Sequence, residues 1–333
     1  MDKRQVNKQN ALFKRLIIFK ILFIPTVLFA QKWEEFKTEN TCINRHENSM
    51  TNIGNSLILV GGRKIKPVES LDLKTKKWTK LTETPIEMHH FQAITYEKKL
   101  WVLGAFTGSY PHEKPIENIY IFNPIKNEWR KGPLIPKERN RGSAGVFVFK
   151  KKIYLVCGIQ DGHWDGHVAW LDEFDPKTNT WKILPDAPHA RDHSQAVVIN
   201  NKIYVAGGRR SSGVTKQVFQ LTEPSVDVFD FKTKTWQTLP ETVNIPTQRA
   251  GTSSVAFKGK LLVIGGESSA HKTSHNEVEA FNTKTTTWEK LNPLIQGRHG
   301  TSVAKYKNKI YIVAGSANMG GGPELNSVEV FKK

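Results

Sequence analysis

The segment SVDVFDFKTKTWQTL, residues 225–239, contains a pattern of two strands and a tight turn that recurs along the chain and indicates its architecture. Alternating apolar side chains in SVDVFDF predict a half-buried strand, FKTKT is turn material, and the tryptophan opens a second strand. Matching tryptophans recur at spacings of 51, 52, 55 and 52 residues, at Trp78, Trp129, Trp181, Trp236 and Trp288. The chain is therefore a repeat protein with a period near 50 residues.

An apolar strand ending in small residues precedes each of these units: NSLILVGG, KLWVLGA, KIYLVCG, KIYVAGG, KLLVIGG and KIYIVAG. These strands number six and the tryptophans five, because the chain stops at Lys333 after NSVEVF. Either the last repeat is incomplete, or its missing strand lies elsewhere. QKWEEF, at residues 31–36, offers a sixth tryptophan, Trp33. We therefore predict that the first strand completes the last sheet, since a closed ring leaves no unpaired edge at the seam.

Four short strands per repeat, at this period, resemble the blades of kelch-type β-propellers. The resemblance is carried by the recurring arginine, the Gly-Gly pair, the tyrosine-containing second strand and the tryptophan, and it covers residues 31–333. It implies an all-β, six-bladed kelch β-propeller whose ring is closed by the amino-terminal strand. Cys157 occupies a glycine slot, and we expect it to be a small buried residue.

Residues 1–30 have the composition of a secretory signal peptide. A basic segment, MDKRQVNKQNALFKR, precedes the short apolar segment ILFIPTVLFA. Lys20 and Pro25 keep that segment below the roughly 18 apolar residues of a membrane-spanning helix. We predict cleavage after Ala30, a secreted or periplasmic protein, and no membrane span after cleavage, with an uncleaved membrane anchor as the alternative.

The charge is strongly positive, at +18 for the whole chain. Residues 31–333 keep 43 Lys and Arg against 30 acids, a net charge of +13. This favours acidic partners, although a merely solvated basic surface is the alternative. Residues 31–333 hold no block of five basic residues, so specific nucleic-acid binding is not indicated. Cys42 and Cys157 are too few for a disulfide scaffold or a cysteine zinc site.

One position, 16 residues before each small pair, carries an arginine in five of the six repeats. It lies in the loop between consecutive blades, and such loops ring the mouth of a propeller's central channel. Either the arginines lock the blades by binding backbone carbonyls, or they form a cradle for an anion. The arginines are Arg45, Arg141, Arg191, Arg249 and Arg298, with Met88 in the sixth repeat. The histidines beside them are His46, His89, His90, His193 and His299.

Loops between the second and third strands differ in length, which is where repeat proteins place specificity. The loop IQDGHWDGHVAW carries His163 and Trp164, and an exposed tryptophan beside such groups resembles a sugar-stacking or peptide-anchoring surface. His163, Asp165 and His167 could ligate a metal, but a polar turn is the preferred interpretation, and we predict no metal and no cofactor. Arg209 and Glu267 stand in the corresponding loops of the next two repeats.

Two enzyme families on kelch-like propellers invite comparison. Copper enzymes of the galactose oxidase type need a Cys–Tyr crosslink, which neither cysteine is placed to make. Sialic acid mutarotases are a closer analogy, and that resemblance implies a catalytic Glu after a Gly, with an Arg six residues later. Glu267 follows Gly265-Gly266, but Thr273 stands at the arginine position and Lys272 is the nearest cation.

The sequence thus predicts a secreted binding module for an anionic ligand, either an acidic glycan or an acidic protein segment, on the loop face around the channel. The alternative is a sugar mutarotase or epimerase with Glu267 as general base. The oligomeric state stays open. The predicted ligand-binding residues are Arg45, His46, His89, His90, Arg141, His163, Trp164, Arg191, His193, Arg209, Arg249, Arg298 and His299.

Overall fold

The computed structural model describes residues 32–332, and the predicted signal peptide lies outside them. Six four-stranded antiparallel sheets form the blades of a propeller, so the predicted all-β, six-bladed kelch architecture is confirmed. Within the described range no helix is long and apolar enough to cross a bilayer.

Strands are numbered along the chain, starting with β1 (Lys32–Glu35). Blade 1 contains β2 (Asn48–Ile53), β3 (Ser56–Gly61), β4 (Pro67–Asp72) and β5 (Lys77–Glu83). Blade 2 contains β6 (Ile94–Tyr96), β7 (Lys99–Val102), β10 (Asn118–Asn123) and β11 (Glu128–Leu134). Blade 3 contains β12 (Gly145–Phe149), β13 (Lys152–Val156), β16 (Leu171–Asp175) and β17 (Thr180–Leu184).

Blade 4 contains β18 (Ala196–Ile199), β19 (Lys202–Val205), β20 (Asp227–Asp230) and β21 (Thr235–Thr238). Blade 5 contains β22 (Ser253–Phe257), β23 (Lys260–Ile264), β24 (Val278–Asn282) and β25 (Thr287–Lys290). Blade 6 contains β26 (Val303–Tyr306), β27 (Lys309–Val313) and β28 (Val328–Lys332), and β1 is its fourth strand.

Smaller elements lie in the loops. Two hairpins, β8 (Phe106–Thr107) with β9 (Lys114–Pro115) and β14 (Ile159–Asp161) with β15 (Asp165–His167), project from blades 2 and 3. Two short 3₁₀ helices, Lys137–Arg139 and Glu241–Val243, precede blades 3 and 5. They lie in loops on the same side of the propeller as the hairpins.

The hydrophobic core is divided among the blade interfaces. Each of six clusters of buried side chains draws on two neighbouring blades, as in the cluster that contains Leu59 of blade 1 and Val330 of blade 6. A sheet buried on both faces needs apolar residues on both sides, which explains near-continuous apolar second strands such as KIYLV and KLLVI.

The seam between the first and last blades is bridged by β1. It runs antiparallel to β28, with Lys32 opposite Lys332 and Glu35 opposite Glu329. Trp33 is 5 % exposed, and its ring centroid lies 5.3 Å from that of Phe331. The strand that the last repeat lacks in sequence is therefore supplied by residues 32–35.

The small residues that end each second strand have a steric reason. Gly61 has φ +73°, and a Cβ there would lie 2.4 Å from the carbonyl oxygen of Met88 in the next inter-blade loop. Backbone packs directly on backbone at this point, which a side chain would prevent. Cys157 takes the same slot with φ +57° and is 1 % exposed, as the sequence predicts.

Substituting Trp33→Ala tests the seam. We expect the free energy of unfolding to fall by about 3–5 kcal/mol, since a buried aromatic contact between the two ends of the ring is lost. Ile125→Ala, at a side chain 87 % exposed, is the control and should change stability by less than about 0.5 kcal/mol. Chemical denaturation measures both. A loss of unfolding free energy in Trp33→Ala as small as that of the control would show that β1 contributes little to closure.

Candidate functional site

The five arginines of the predicted cradle lie inside the blades. Their side chains are at most 1 % exposed, and each pairs with a carboxylate on the third strand of the blade that follows it. The pairs are Arg45–Glu69, Arg141–Asp172, Arg191–Asp227, Arg249–Glu279 and Arg298–Glu329, at 2.5–2.6 Å. These guanidinium groups are therefore not available to a ligand, which corrects the cradle interpretation for all five.

Arg249 shows what such an arginine does. Besides Glu279, its guanidinium donates to the carbonyl oxygens of Gly265 at 2.7 Å and Val263 at 3.1 Å, on the second strand of blade 5. The same group binds the carbonyl oxygen of Thr247 in its own loop. One guanidinium thus ties the loop to two strands of the blade, which is the structural role that the sequence analysis offers as its first interpretation.

A closed ring of backbone hydrogen bonds surrounds the channel axis. Its members lie two residues after each recurrent position and have left-handed φ values of 51–63°: Glu47, His90, Ser143, His193, Gly251 and Gly300. Each N–H after the first binds the carbonyl oxygen of the preceding member at 2.8–3.3 Å, and the N–H of Asn48 closes the circle on Gly300 at 3.1 Å. The ring fixes which side chains reach the axis.

Charged groups gather on one side of this ring. Glu267 accepts a hydrogen bond from Arg209 at 2.7 Å and one from the N–H of Gly320 at 2.9 Å. Nε2 of His299 lies 3.3 Å from Glu267 and 3.6 Å from Glu47. All of these side chains are nearly inaccessible to solvent. Arg209, from the neighbouring loop, thus supplies the cationic partner of Glu267 that the sequence lacks at position 273.

The pKa values of this group follow from burial opposed by charge. Burial disfavours ionisation of Glu47, but the hydrogen bond and charge of His299 hold the pKa of Glu47 well below its usual range. Burial likewise opposes ionisation of Glu267, and the charges of His299 and Arg209 lower its pKa. Burial alone would lower the pKa of His299, whereas the two carboxylates raise it. The two carboxylates therefore flank His299 and favour its protonated form.

Three histidines from the loops of blades 2, 3 and 4 lie across the ring from His299 and Glu267. The ring centroids of His90, His163 and His193 lie 4.8–4.9 Å from one another. Burial lowers the pKa of His193 and, together with the charge of the adjoining His89, holds that of His90 well below the ordinary value. His90 and His193 are therefore neutral imidazoles at physiological pH.

The six loops between second and third strands cover the ring, and we call them together the crown. They span residues 62–66, 103–117, 157–170, 206–226, 265–277 and 314–327. Neighbouring loops touch in sequence around the circle. The N–H of His163 binds the carbonyl oxygen of Pro111 at 2.8 Å, and that of Gly213 binds Trp164 at 2.9 Å. Lys66 and Glu324, 3.7 Å apart, join the last loop to the first. Arg209 and Glu267 belong to the crown itself, and their buried side chains meet His299 and Glu47 below it.

Below the ring, two glutamines cross the channel. Gln92 binds backbone groups of Val146 and Ala196, and Gln195 binds Ser302 and the N–H of Ser254. The cavity at the level of the ring has about 40 Å³, with room for water rather than a sugar.

The remaining predicted residues are distributed as follows. His46 is paired with Glu324 in the crown, and Nδ1 of His89 lies 2.6 Å from that of His90. Trp164 is 39 % exposed and packs on His112 at 4.8 Å between ring centroids. Glu47, two residues after Arg45, and Asp192, next to Arg191, are not among the predicted site residues. Glu113, a partner of His163, lies in an irregular loop and gives no repeat-based signal.

The positive charge lies mainly on the opposite face. Because the strands are antiparallel, the turns from first to second and from third to fourth strands all emerge there. These turns, together called the turn face, hold eighteen lysines and five acidic residues. They span 53–56, 72–77, 96–99, 123–128, 149–152, 175–180, 199–202, 230–235, 257–260, 282–287 and 306–309. The crown and the inter-blade loops hold sixteen basic and fifteen acidic residues, so that face is close to neutral.

Several turn-face lysines stand where the backbone would favour another residue. Lys98, Lys151, Lys234 and Lys258 have φ between 50° and 63°, in the left-handed region that Gly and Asn adopt more easily. Aromatic rings accompany some of the lysines, and Nζ of Lys150 lies 5.2 Å from the ring of Phe149. Turn geometry therefore does not account for lysine at these positions.

Comparison with known proteins places these features in a family. Residues 26–273 match the family model described as the Attractin/LZTR1 β-propeller. Kelch-like protein terF of Aspergillus terreus is 24 % identical over 291 residues, covering 81 % of this chain and 61 % of terF. Human Kelch-like protein 38 is 24 % identical over 268 residues, covering 78 % of this chain and 42 % of that protein.

The solved structure of YjhT has a similar fold. It superposes with a TM-score of 0.73 at 18 % identity and covers 87 % of this chain and 95 % of YjhT. The chain spans 61 % or less of the length of the two kelch-like relatives. At these levels of identity the likeness to YjhT concerns the fold alone.

Substituting Arg249→Met tests the structural role of the buried arginines. We expect a loss of about 3–5 kcal/mol of stability, since Glu279 is left as an unpaired buried charge. Replacing both partners, Arg249→Met with Glu279→Leu, should recover part of the loss. The exposed Arg210→Met is the control, expected within about 0.5 kcal/mol of the unaltered protein. A stable Arg249→Met protein in thermal or denaturant unfolding would contradict the assignment.

Proposed function

The chain belongs to the Attractin/LZTR1 β-propeller family, and we propose that it is a binding module that recognises an acidic glycan through its lysine-rich turn face. The separation of charge between the two faces is the observation that carries the proposal. Eighteen lysines against five acids create a positive potential that attracts a polyanion, whereas the near-neutral crown face does not. The proposed binding surface is therefore the turn face, whereas the sequence predicts the loop face around the channel.

The chemistry of the turn face favours a glycan over an acidic protein segment. Protein interfaces depend on large apolar anchors seated in pockets. Of the eight exposed large apolar side chains in the described residues, only Ile125 lies in these turns. The turns instead offer lysines beside half-buried rings such as Tyr96, Phe149 and Tyr306, which suit the charged groups and the flat faces of acidic sugars.

The same proposal includes a secreted or periplasmic location. The predicted signal peptide would bring residues 31–333 to a compartment where acidic glycans occur. The left-handed lysines add support, because a residue kept against local backbone preference suggests a role outside the turn.

The test compares two charge-matched triple variants for binding to a sulfated glycan. Lys98→Gln/Lys150→Gln/Lys151→Gln should bind roughly tenfold more weakly, since three exposed contacts are worth about 0.5 kcal/mol each. The control Arg210→Gln/Lys216→Gln/Lys272→Gln removes three charges from the crown and should bind within about twofold of the unaltered protein. Calorimetry at several salt concentrations measures both, and affinity should fall steeply with salt.

Three outcomes would contradict this proposal. A larger loss in the crown variant would return the ligand to the loop face. Tighter binding of polyaspartate than of the glycan would indicate an acidic protein segment as the ligand. Equal losses of affinity in the two variants would show that neither face is preferred, and that the turn-face lysines form only a solvated basic surface.

A mutarotase at the channel mouth is a second candidate, supported by the contacts of Glu267. A carboxylate 3.3 Å from His299, whose protonated form that carboxylate favours, offers a base and an acid for opening a sugar ring, and Arg209 could hold a substrate carboxylate. Arg209 and Glu267 are buried within the crown and the ring cavity is small, so a sugar could reach them only if the crown loops moved aside. This obstacle makes it the weaker candidate.

Anomer exchange of sialic acid, followed by NMR, tests that candidate. If the channel mouth is catalytic, Glu267→Gln should abolish exchange above the uncatalysed rate, because the amide cannot accept the proton. Glu324→Gln, which alters a crown carboxylate outside the Glu267 cluster, is the control and should keep the activity. No exchange by the unaltered protein would remove the candidate and leave the glycan-binding proposal intact.

A further inference from the structure

We propose that His90, His163 and His193 bind one divalent transition-metal ion, with Zn²⁺ as the best match, at the channel mouth. The sequence alone predicts no metal, with His163, Asp165 and His167 as the conceivable ligands. The structure brings His163 together with two histidines from other blades instead. This inference does not depend on the glycan-binding proposal, which concerns the opposite face.

The arrangement of the nitrogen atoms fits a three-histidine centre. One ring nitrogen from each histidine lies within 4.8 Å of those of the other two. Nitrogens bound to one tetrahedral zinc at about 2.1 Å lie about 3.4 Å apart, so small side-chain rotations complete the site. His90 and His193 stand on the hydrogen-bonded ring and His163 stands on the crown, so two ligands have a rigid base.

Each histidine is oriented by a carboxylate on one of its nitrogens. Nδ1 of His163 lies 3.0 Å from Glu113, and Nδ1 of His193 lies 2.7 Å from Asp192. Nε2 of His90 lies 3.2 Å from Glu47, and its Nδ1, 2.6 Å from Nδ1 of His89, would exchange that contact for the ion. Carboxylate–histidine pairs of this kind fix the tautomer and strengthen the free nitrogen as a metal ligand. Three such pairs from three different loops meet at one point, which favours a metal site over the polar-turn interpretation.

An unpartnered atom points to a missing ligand. Nε2 of His193 is buried and has no hydrogen-bond partner among the described residues. A buried polar atom without a partner is costly, and a bound ion would supply the partner. His163 uses Nδ1 for Glu113, which leaves its Nε2 for the same ion.

Carboxylates surround the three histidines, and neighbouring cationic groups offset part of their charge. Glu47, Glu113 and Asp192 bring three negative charges to the histidines, while Arg63 binds Glu113 at 2.7 Å and Arg209 approaches Asp192 at 3.8 Å. Imidazole ligands suit zinc, copper or nickel, whereas calcium and magnesium prefer oxygen. Three protein ligands leave a fourth position for water or a ligand group.

A second group of possible ligands, His271, His275 and Glu277, lies in the crown of blade 5. His271 is exposed and Glu277 is partly exposed, and Nε2 of His275 already contacts Ser268 at 2.8 Å. This group lacks the buried, unpartnered nitrogen, and it serves as the internal comparison.

The experiment titrates metal-free protein with Co²⁺ as a spectroscopic probe and then displaces it with Zn²⁺. We expect one equivalent bound, with the intense visible absorption of four-coordinate cobalt. His163→Ala should weaken binding at least about 100-fold, and Glu113→Gln about 10–100-fold through loss of the orienting carboxylate. His112→Ala, at a half-exposed crown histidine outside both groups, is the matched control and should bind normally.

Two results would overturn the proposal: normal binding by both His163→Ala and Glu113→Gln, or loss of the equivalent in His271→Ala alone. Circular dichroism establishes that each variant is folded. If His163→Ala does not fold, Glu113→Gln decides, because it keeps all three histidines.

Discussion

A ring of backbone hydrogen bonds at the channel axis holds the six blades of this propeller together. Each of its six members adopts a left-handed conformation and binds the next blade's member, so the inner ends of the blades are held at fixed separation. The same conformation turns the side chains of Glu47, His90 and His193 toward the axis. Closure of the fold and assembly of the charged channel mouth therefore have a common cause.

Much of the fold could be predicted from the sequence because a propeller repeats itself. The tryptophan period and the six apolar strands establish the blade count, and Trp33 indicates how the last sheet is completed. The crown could not be predicted in this way, because it does not repeat. Its loops have no common length, and contacts such as the one between Gly213 and Trp164 join residues about 50 positions apart without any periodic signal.

The candidate sites show where residue type alone misleads. A recurrent arginine in a channel-facing loop suits an anion, but the carboxylate that buries it stands some 24 to 36 residues later, and no local pattern links the two. The lysines were visible as turn material, yet their significance appears only when antiparallel topology sends every such turn to one face. Among the histidines, His90 and His193 occupy the same position in their repeats, but His163 comes from a crown loop, and no spacing in the sequence links it to the other two.

The pairing of β1 with β28 also determines how the ring would respond to force. Lys32 and Lys332 lie opposite each other at the same end of the antiparallel pair, bridged through Glu34. Tension applied between these two residues would not load the four residue pairs in parallel; it would peel them open one after another. A propeller whose interior resists unfolding thus has a seam that mechanical traction could unzip at low force, beginning on the lysine-rich side.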